Sequence, residues 1–303
     1  MPISFILSGH SQAKEKNENA RRKIREAQEL YDSSKESLER EQEITKESLY
    51  RLGCAKKEIL NGTLRRFWKS YERFKAFKVN TSRGIDESFN LSISTQERKE
   101  LEELSNIYTG PISTGVATTT SALMSFAASG IIPAMGASVL LSPVISSLVL
   151  VAPPAFFISG IAANLKADEN LEKAKKALAE AKQASEKMKI SRLLCEAITE
   201  RSDMFWELLI MLETVLENFT AKMEDLLDEL ELDGCNTIKV DEEDLTDREA
   251  EMVGAAASLA HAVKSIIDTP ILTENCELSS KSFKVYNTAK NKLEKYTDIN
   301  LKK

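Results

Sequence analysis

Two histidines, four cysteines and a few acid pairs are the residues of this 303-residue chain that could do chemistry. Histidine can act as a general base near neutral pH, but the setting of each one argues for a structural role. His10 stands between Gly9 and Ser11 in a segment expected to fray, and His261 lies in Ala260-His261-Ala262 on an expected amphipathic helix. Cys54, Cys195, Cys235 and Cys276 are scattered, with no Cys-x-x-Cys pair and no flanking histidine. That spacing fits neither a zinc site nor a disulfide framework, and it suits a reducing cytosol. Glu102-Glu103 and Glu242-Glu243 are neighbours in solvated acidic runs, not carboxylates set across a cleft. Phosphate-loop, dinucleotide, nucleophile-elbow and zinc-protease motifs are all missing from the sequence. The expectation is a chain that is not an enzyme and uses no cofactor or metal.

One cluster of a different kind stands out. Residues 65–78 interleave cations with aromatics: Arg65, Arg66, Phe67, Trp68, Lys69, Tyr71, Arg73, Phe74, Lys75, Phe77 and Lys78. Leu60, Leu64, Phe67, Tyr71 and Phe74 follow the 4-3-4-3 spacing of a buried helical face. That leaves Trp68 and the cations nearer the outer faces. Arg65, Arg66, Trp68, Lys69, Arg73 and Lys75 are thus candidates for contact with anionic lipid headgroups. Nucleic acid is the less favoured partner, because the chain carries a net charge of −6. The competing expectation is that these cations pair with acids of a neighbouring helix.

The middle of the chain favours lipid. The sixty-two residues from Leu104 to Leu165 contain no Asp, Glu, Lys, Arg or His, although 29% of the whole chain is Asp, Glu, Lys or Arg. Two membrane crossings need about 20 residues each. The second leg is strongly apolar through Val139, Leu140, Leu141, Val144, Ile145, Leu148, Val149, Leu150, Val151, Phe156, Phe157, Ile158 and Ile161. Pro153 and Pro154 remove backbone donors within it, so a kink or a break into half-helices is expected. The first leg is more polar: Val116, Leu123, Phe126, Ile131 and Ile132 are its large apolar residues. Its Ala117, Ser121, Ser125 and Ser129 form a small-residue ridge suited to close helix contact in a bilayer. Gly130, Pro133, Gly136 and Pro143 are hinge or kink candidates, with the reversal between the legs near Gly136 to Pro143. Insertion of this hairpin is one expectation; permanent burial between amphipathic helices is the other.

Both flanks read as long helices. Residues 11–78 hold no Pro, and Ile24, Tyr31, Leu38, Thr45, Leu52 and Ile59 recur every seven residues, one seam of a coiled coil. The companion positions are weak, being Ser34, Glu41 and Ser48, and Asn61-Gly62 invites a kink. From about Ala167 to Leu230 the second arm carries a seam of Cys195, Ile198, Ser202, Phe205, Leu209, Leu212, Leu216, Phe219, Met223, Leu226 and Leu230. Arg51 to Arg83 has a local balance of +8, and Asp203 to Glu251 one of −14. If the chain reverses in its uncharged middle, the arms lie antiparallel as a helical hairpin, basic part against acidic part. Thr246-Asp247-Arg248-Glu249 fits a capping box opening a helix that ends before Pro270, with a short polar helix from about Ser280 to Lys295.

Arm, uncharged hairpin, arm is a plan that resembles the α-helical pore-forming toxins of the haemolysin BL and cytolysin A type, and the apolipoprotein-L-like proteins. The stretch from Thr109 through Lys166-Ala167-Asp168-Glu169-Asn170-Leu171-Glu172-Lys173-Ala174 also resembles a poorly characterised bacterial family. Its members place a Gly/Ala-rich apolar stretch before an Ala/Glu/Lys helix. The resemblance implies membrane action and self-association, and carries no individual residue role. The expected architecture is all-α: an elongated helical bundle or coiled coil with a central hydrophobic helical hairpin. Its divisions are a flexible N-terminus (1–10), a first arm (11–78), a loop and short helix (79–103), the hairpin (104–165), a second arm (166–232), and an acidic linker with C-terminal helices (233–303). Residues 1–7 lack the basic start and apolar length of a signal peptide, so cytoplasmic synthesis with membrane association is expected. A protein partner bound through the arms is a further expectation.

Overall fold

The computed structural model describes residues 4–74, 167–232, 245–273 and 277–301. The long Pro-free flank forms α1, Ser4–Asn61, which runs through residues expected to be a flexible start. Gly62 breaks it, with φ −99° and ψ −93°. A side chain there would place its Cβ 3.0 Å from the Glu58 carbonyl oxygen, so glycine suits the close approach. Helix α2, Thr63–Tyr71, follows, closed by a 3-10 turn at Glu72–Phe74. The second flank forms α3, Ala167–Leu232, starting and stopping close to its expected bounds. Then come α4, Asp247–Asp268, and α5, Ser280–Leu301. Among the described residues there is no strand, only an isolated antiparallel bridge between Leu272 and Leu278. The protein is all-α there, as its composition demands.

The described residues fall into two compact units, divided after Lys46 in α1 and after Ala197 in α3. In the first unit α1 meets α3 along an alanine-rich seam. Ala27 packs with Leu178 and Ala181, and Tyr31 and Leu38 pack with Ala184, Met188 and Cys195. Polar pairs cross the same seam: Asn170 Nδ2 donates to Asn17 Oδ1 at 3.1 Å, and the Ser34 and Ser185 hydroxyls meet at 2.7 Å. Thr45 Oγ1 donates to the Cys195 carbonyl at 3.1 Å, and Lys16 pairs with Asp168 at 2.6 Å.

These partners rise together in number, so the two helices run parallel. That corrects the antiparallel hairpin expected from the sequence. The physical reason lies in the weak seam positions. Ser34 is satisfied by a serine at the matching height of a parallel partner, whereas an antiparallel partner would set it against another level of α3. Such buried polar pairs fix register and orientation at some cost in stability.

In the second unit the parallel pairing recurs. Arg51 bonds Asp203 at 2.6 Å, Thr63 Oγ1 lies 2.8 Å from Glu213 Oε1, and Ser70 Oγ donates to Glu224 Oε1 at 3.3 Å. Large apolar residues are buried here, among them Leu52 and Ile59 of α1, Leu64 and Phe67 of α2, and Phe205, Leu209, Leu212 and Leu216 of α3. Thr246 caps α4 in the expected box: the Glu249 amide donates to its hydroxyl at 3.4 Å, and its own amide donates to Glu249 Oε2 at 2.7 Å. The single apolar face expected for α4 is too narrow, however. Val253, Gly254, Ala255, Ala256, Ala257, Leu259, Ala260, Ala262, Val263, Ile266 and Ile267 are all buried, a broad face that leaves Ser258, His261, Lys264 and Ser265 half-buried and Asp268 exposed. Small side chains let its neighbours approach closely over that broad face. Helix α5 packs on α3 through stacked Phe205 and Tyr286, 6.3 Å apart, and through Arg201, which bonds Ser282 at 2.7 Å.

Two outcomes are expected. The double variant Ser34→Cys, Ser185→Cys cross-links under mild oxidation, read as a mobility shift that neither single variant gives, whereas antiparallel arms would yield none. Removing the capping box with Thr246→Ala lowers stability by about 1 kcal/mol, read from the urea midpoint at unchanged slope.

Candidate functional site

Helix α2 holds the described part of the basic-aromatic cluster. Its apolar face turns Leu64, Phe67, Tyr71 and then Phe74 inward, all buried. Trp68 goes in with them at 7% exposure, its ring 6.0 Å from that of Tyr71. That corrects the outward placement expected for Trp68: Thr63, Leu64, Phe67, Trp68, Ser70 and Tyr71 are all buried, so the hidden face of α2 is wider than the stripe. Among the candidate lipid contacts, Arg65 and Lys69 are exposed and Arg73 is half-buried. Arg66 is committed to a protein partner: its Nε donates to Glu224 Oε1 at 2.9 Å while its Nη2 pairs with Oε2. Such a fork-to-carboxylate pair fixes direction as well as distance. Lys75, the hairpin residues of 104–165 with their hinges, the 79–103 segment and residues 233–244 of the acidic linker lie outside the described residues.

Acids of α3 gather at the start of α2. Thr63 Oγ1 lies 2.8 Å from Glu213 and 3.2 Å from Glu217. Partial burial raises the Glu213 carboxyl above the usual carboxylate range; the Thr63 bond lowers it, and the fields of Glu217 and Glu58 add to the rise. Thr63 opens α2, and negative charge is favoured at a helix N-terminus. This arrangement docks α2 on α3. Among the described residues no group of His, Cys, Asp and Glu is placed to hold a metal. Among them, too, no helix is long and apolar enough to cross a membrane. His261 is half-buried on α4, and Cys195 is buried, its thiol pushed up chiefly by desolvation.

The most unusual group in this unit is one the sequence did not advertise. Lys56 on α1 is wholly buried, and its Nζ donates to the Ile267 carbonyl at 3.0 Å. That carbonyl belongs to the last turn of α4, where helix carbonyls lack intrahelical partners. Burial drives the Lys56 amine well below the ordinary lysine range, to about 7, against an upward pull from Asp268. A signal was available: Leu49, Leu52, Lys56, Ile59 keep the three-and-four spacing of the inner face, with a lysine inside it.

No protein family matches the chain, and comparisons with curated proteins and with solved structures return no match. The arrangement must therefore speak through its own chemistry. It offers docking surfaces, an ion-paired α2 and a buried amine. For Trp68 the expected behaviour follows directly. In a Trp206→Phe chain, Trp68 emission is blue and resists acrylamide, and anionic vesicles leave it unchanged while α2 stays docked; a vesicle-induced shift would show that Trp68 meets lipid.

Proposed function

We propose that this is a membrane-associating helical protein, in which paired arms carry a central apolar segment that perturbs, permeabilises or scaffolds a bilayer. The observation that carries this reading is the charge-free run of sixty-two residues from Leu104 to Leu165. Its leg from Val139 to Ala163 gains about 0.3–0.6 kcal/mol per Leu, Ile, Val or Phe on an insertion scale, which outweighs its serines. The arms support the reading because their seam residues are spent on each other. A single apolar hairpin cannot line a channel, so permeabilisation would require several copies. The likeness in plan to α-helical pore-forming toxins points the same way. Exposed Arg65 and Lys69 supply headgroup contact, while Trp68 and Arg66 do not.

A second function, that of a soluble coiled-coil adaptor with the apolar segment stored against its helices, draws support from the parallel pairing. In each unit the paired stretches of α1 and α3 run in the same direction. Parallel neighbours need a long return connection, as in bundles with crossovers. A connection of about ninety residues, from 75 to 166, supplies one.

Flotation with anionic liposomes separates the two. The membrane reading expects protein in the floating fraction and retention in membranes after alkaline extraction, with both reduced by Leu148→Lys and Ile145→Lys. Protein that stays soluble under every condition, melting sharply and reversibly without detergent, establishes the adaptor.

A further inference from the structure

Helix α5 breaks the usual charge rule at its start. Its first turn holds no acid. From Ser280 to Leu293 it carries Lys281, Lys284, Lys290 and Lys292 with no Asp or Glu. Cations are disfavoured at a helix N-terminus, where the dipole is positive. A chain with a net charge of −6 has acids to spare for that end, yet it places lysines there. Sequences give up such local rules where a function needs the residues.

These side chains are within reach of a partner. Ser282, Ala289, Leu293 and Tyr296 turn inward, while Lys281, Lys284, Lys290 and Lys295 are exposed. Lys290 lies 4.0 Å from Glu294 and Lys295 is 5.7 Å from the Tyr296 ring. Among the described residues no ion pair engages Lys281 or Lys284. Phe283 stands between them in sequence at 50% exposure, with the Arg201 guanidinium 5.3 Å from its ring. Arg201 also bonds Ser282 at 2.7 Å, which holds cation and aromatic together at this end of α5. The paired acids of α3 are committed elsewhere. Asp203 bonds Arg51, Glu213 and Glu217 meet Thr63, and Glu224 bonds Arg66. They serve α1 and α2, whereas α5 meets α3 through Arg201 and Phe205. The exposed Glu277 precedes the helix, beside the Leu272–Leu278 bridge.

We propose that the outer face of the first turns of α5 is a docking surface for an anionic lipid leaflet. Lys281 and Lys284 meet the charged headgroups, and Phe283 enters the interface beside them. The aromatic selects lipid over nucleic acid, because its exposed ring gains from leaving water at the headgroup level. The charge-free run from Leu104 to Leu165 favours the same partner. The inference rests on the membrane reading and adds to it a reversible electrostatic contact on a helix other than α2. Each lysine held near an anionic surface strengthens binding about fivefold. Salt screens that attraction, over about 10 Å at 0.1 M.

Co-sedimentation with phosphatidylcholine vesicles, with and without about one-third phosphatidylserine, reads this contact. The full chain carries Leu148→Lys and Ile145→Lys, so that insertion does not mask surface binding. The expected result is binding that needs phosphatidylserine, is reversed by salt, and weakens about 25-fold in Lys281→Gln, Lys284→Gln. Phe283→Ala should weaken it severalfold. Neutralising two exposed lysines of the first unit, Lys182→Gln and Lys187→Gln, should leave it unchanged. In the otherwise wild-type chain the α5 pair should also slow capture by phosphatidylserine vesicles, which keeps the result independent of the substitutions at Leu148 and Ile145. Binding that ignores the α5 pair, falls equally with the Lys182 and Lys187 pair, or needs no phosphatidylserine overturns the docking surface. Capture of a DNA oligonucleotide through Lys281 and Lys284 in place of vesicles also overturns it, and assigns the face to nucleic acid. Failure of insertion is read separately: a wild-type chain that binds through α5 yet is released by alkaline extraction keeps the docking surface and loses the inserted hairpin.

Discussion

Hydrogen-bonding groups buried between two long helices have few places where their partners stand at the right height. Asn17 with Asn170, Ser34 with Ser185 and Thr45 with the Cys195 carbonyl each need α3 to run beside α1 in one direction and one register. A shift of one turn, or a reversal, would break all three, and for the buried Thr45 hydroxyl it would leave a stranded group at a cost of about 1–3 kcal/mol. Apolar residues alone tolerate such slips far better, since Leu meets Leu almost anywhere along a seam. The polar pairs therefore decide orientation, and the position of α2, and with it Arg66 against Glu224, follows from that choice.

The two units spend their apolar surface differently. In the first, the α1–α3 seam is built largely from alanine, which lets backbones come close but removes little area from water per residue. In the second, large side chains of α1, α2 and α3 are buried, and small ones make up much of the broad buried face of α4. That division explains why a lysine could be enclosed at its end. Thin helices leave room for a long alkyl stem, and the unpaired carbonyls of a helix terminus give the amine a destination.

Much of this was legible in the chain. The arms, the break at Asn61-Gly62, the box at Thr246 and the stop before Pro270 are local signals, set by propensity and capping within a few residues. Orientation was not legible from the heptads, because a seam of threes and fours looks alike in both directions. The charge blocks held a clue that was used the wrong way. Arg51 opens the basic block and Asp203 the acidic one, and in the structure those two opening residues bond each other. Trp68 and the far faces of α4 were misplaced for one reason: amphipathic spacing marks the most buried stripe, while neighbours on several sides widen it. Lys56 is hidden for a different reason: a charged residue type ordinarily marks the surface, and only its place in the inner-face spacing points inward.

Parallel pairing also sets a timetable for synthesis. Each contact between α1 and α3 joins residues about 150 positions apart, as in the Ser34–Ser185 and Thr45–Cys195 bonds. At roughly 5–20 residues per second, the seam of α1 waits on the order of ten to thirty seconds on the ribosome before its counterpart emerges. The whole uncharged segment is made during that interval, ahead of α3. A nascent chain in this state presents an unpaired apolar stripe and a long charge-free run at once, before the helix that covers the stripe has been made.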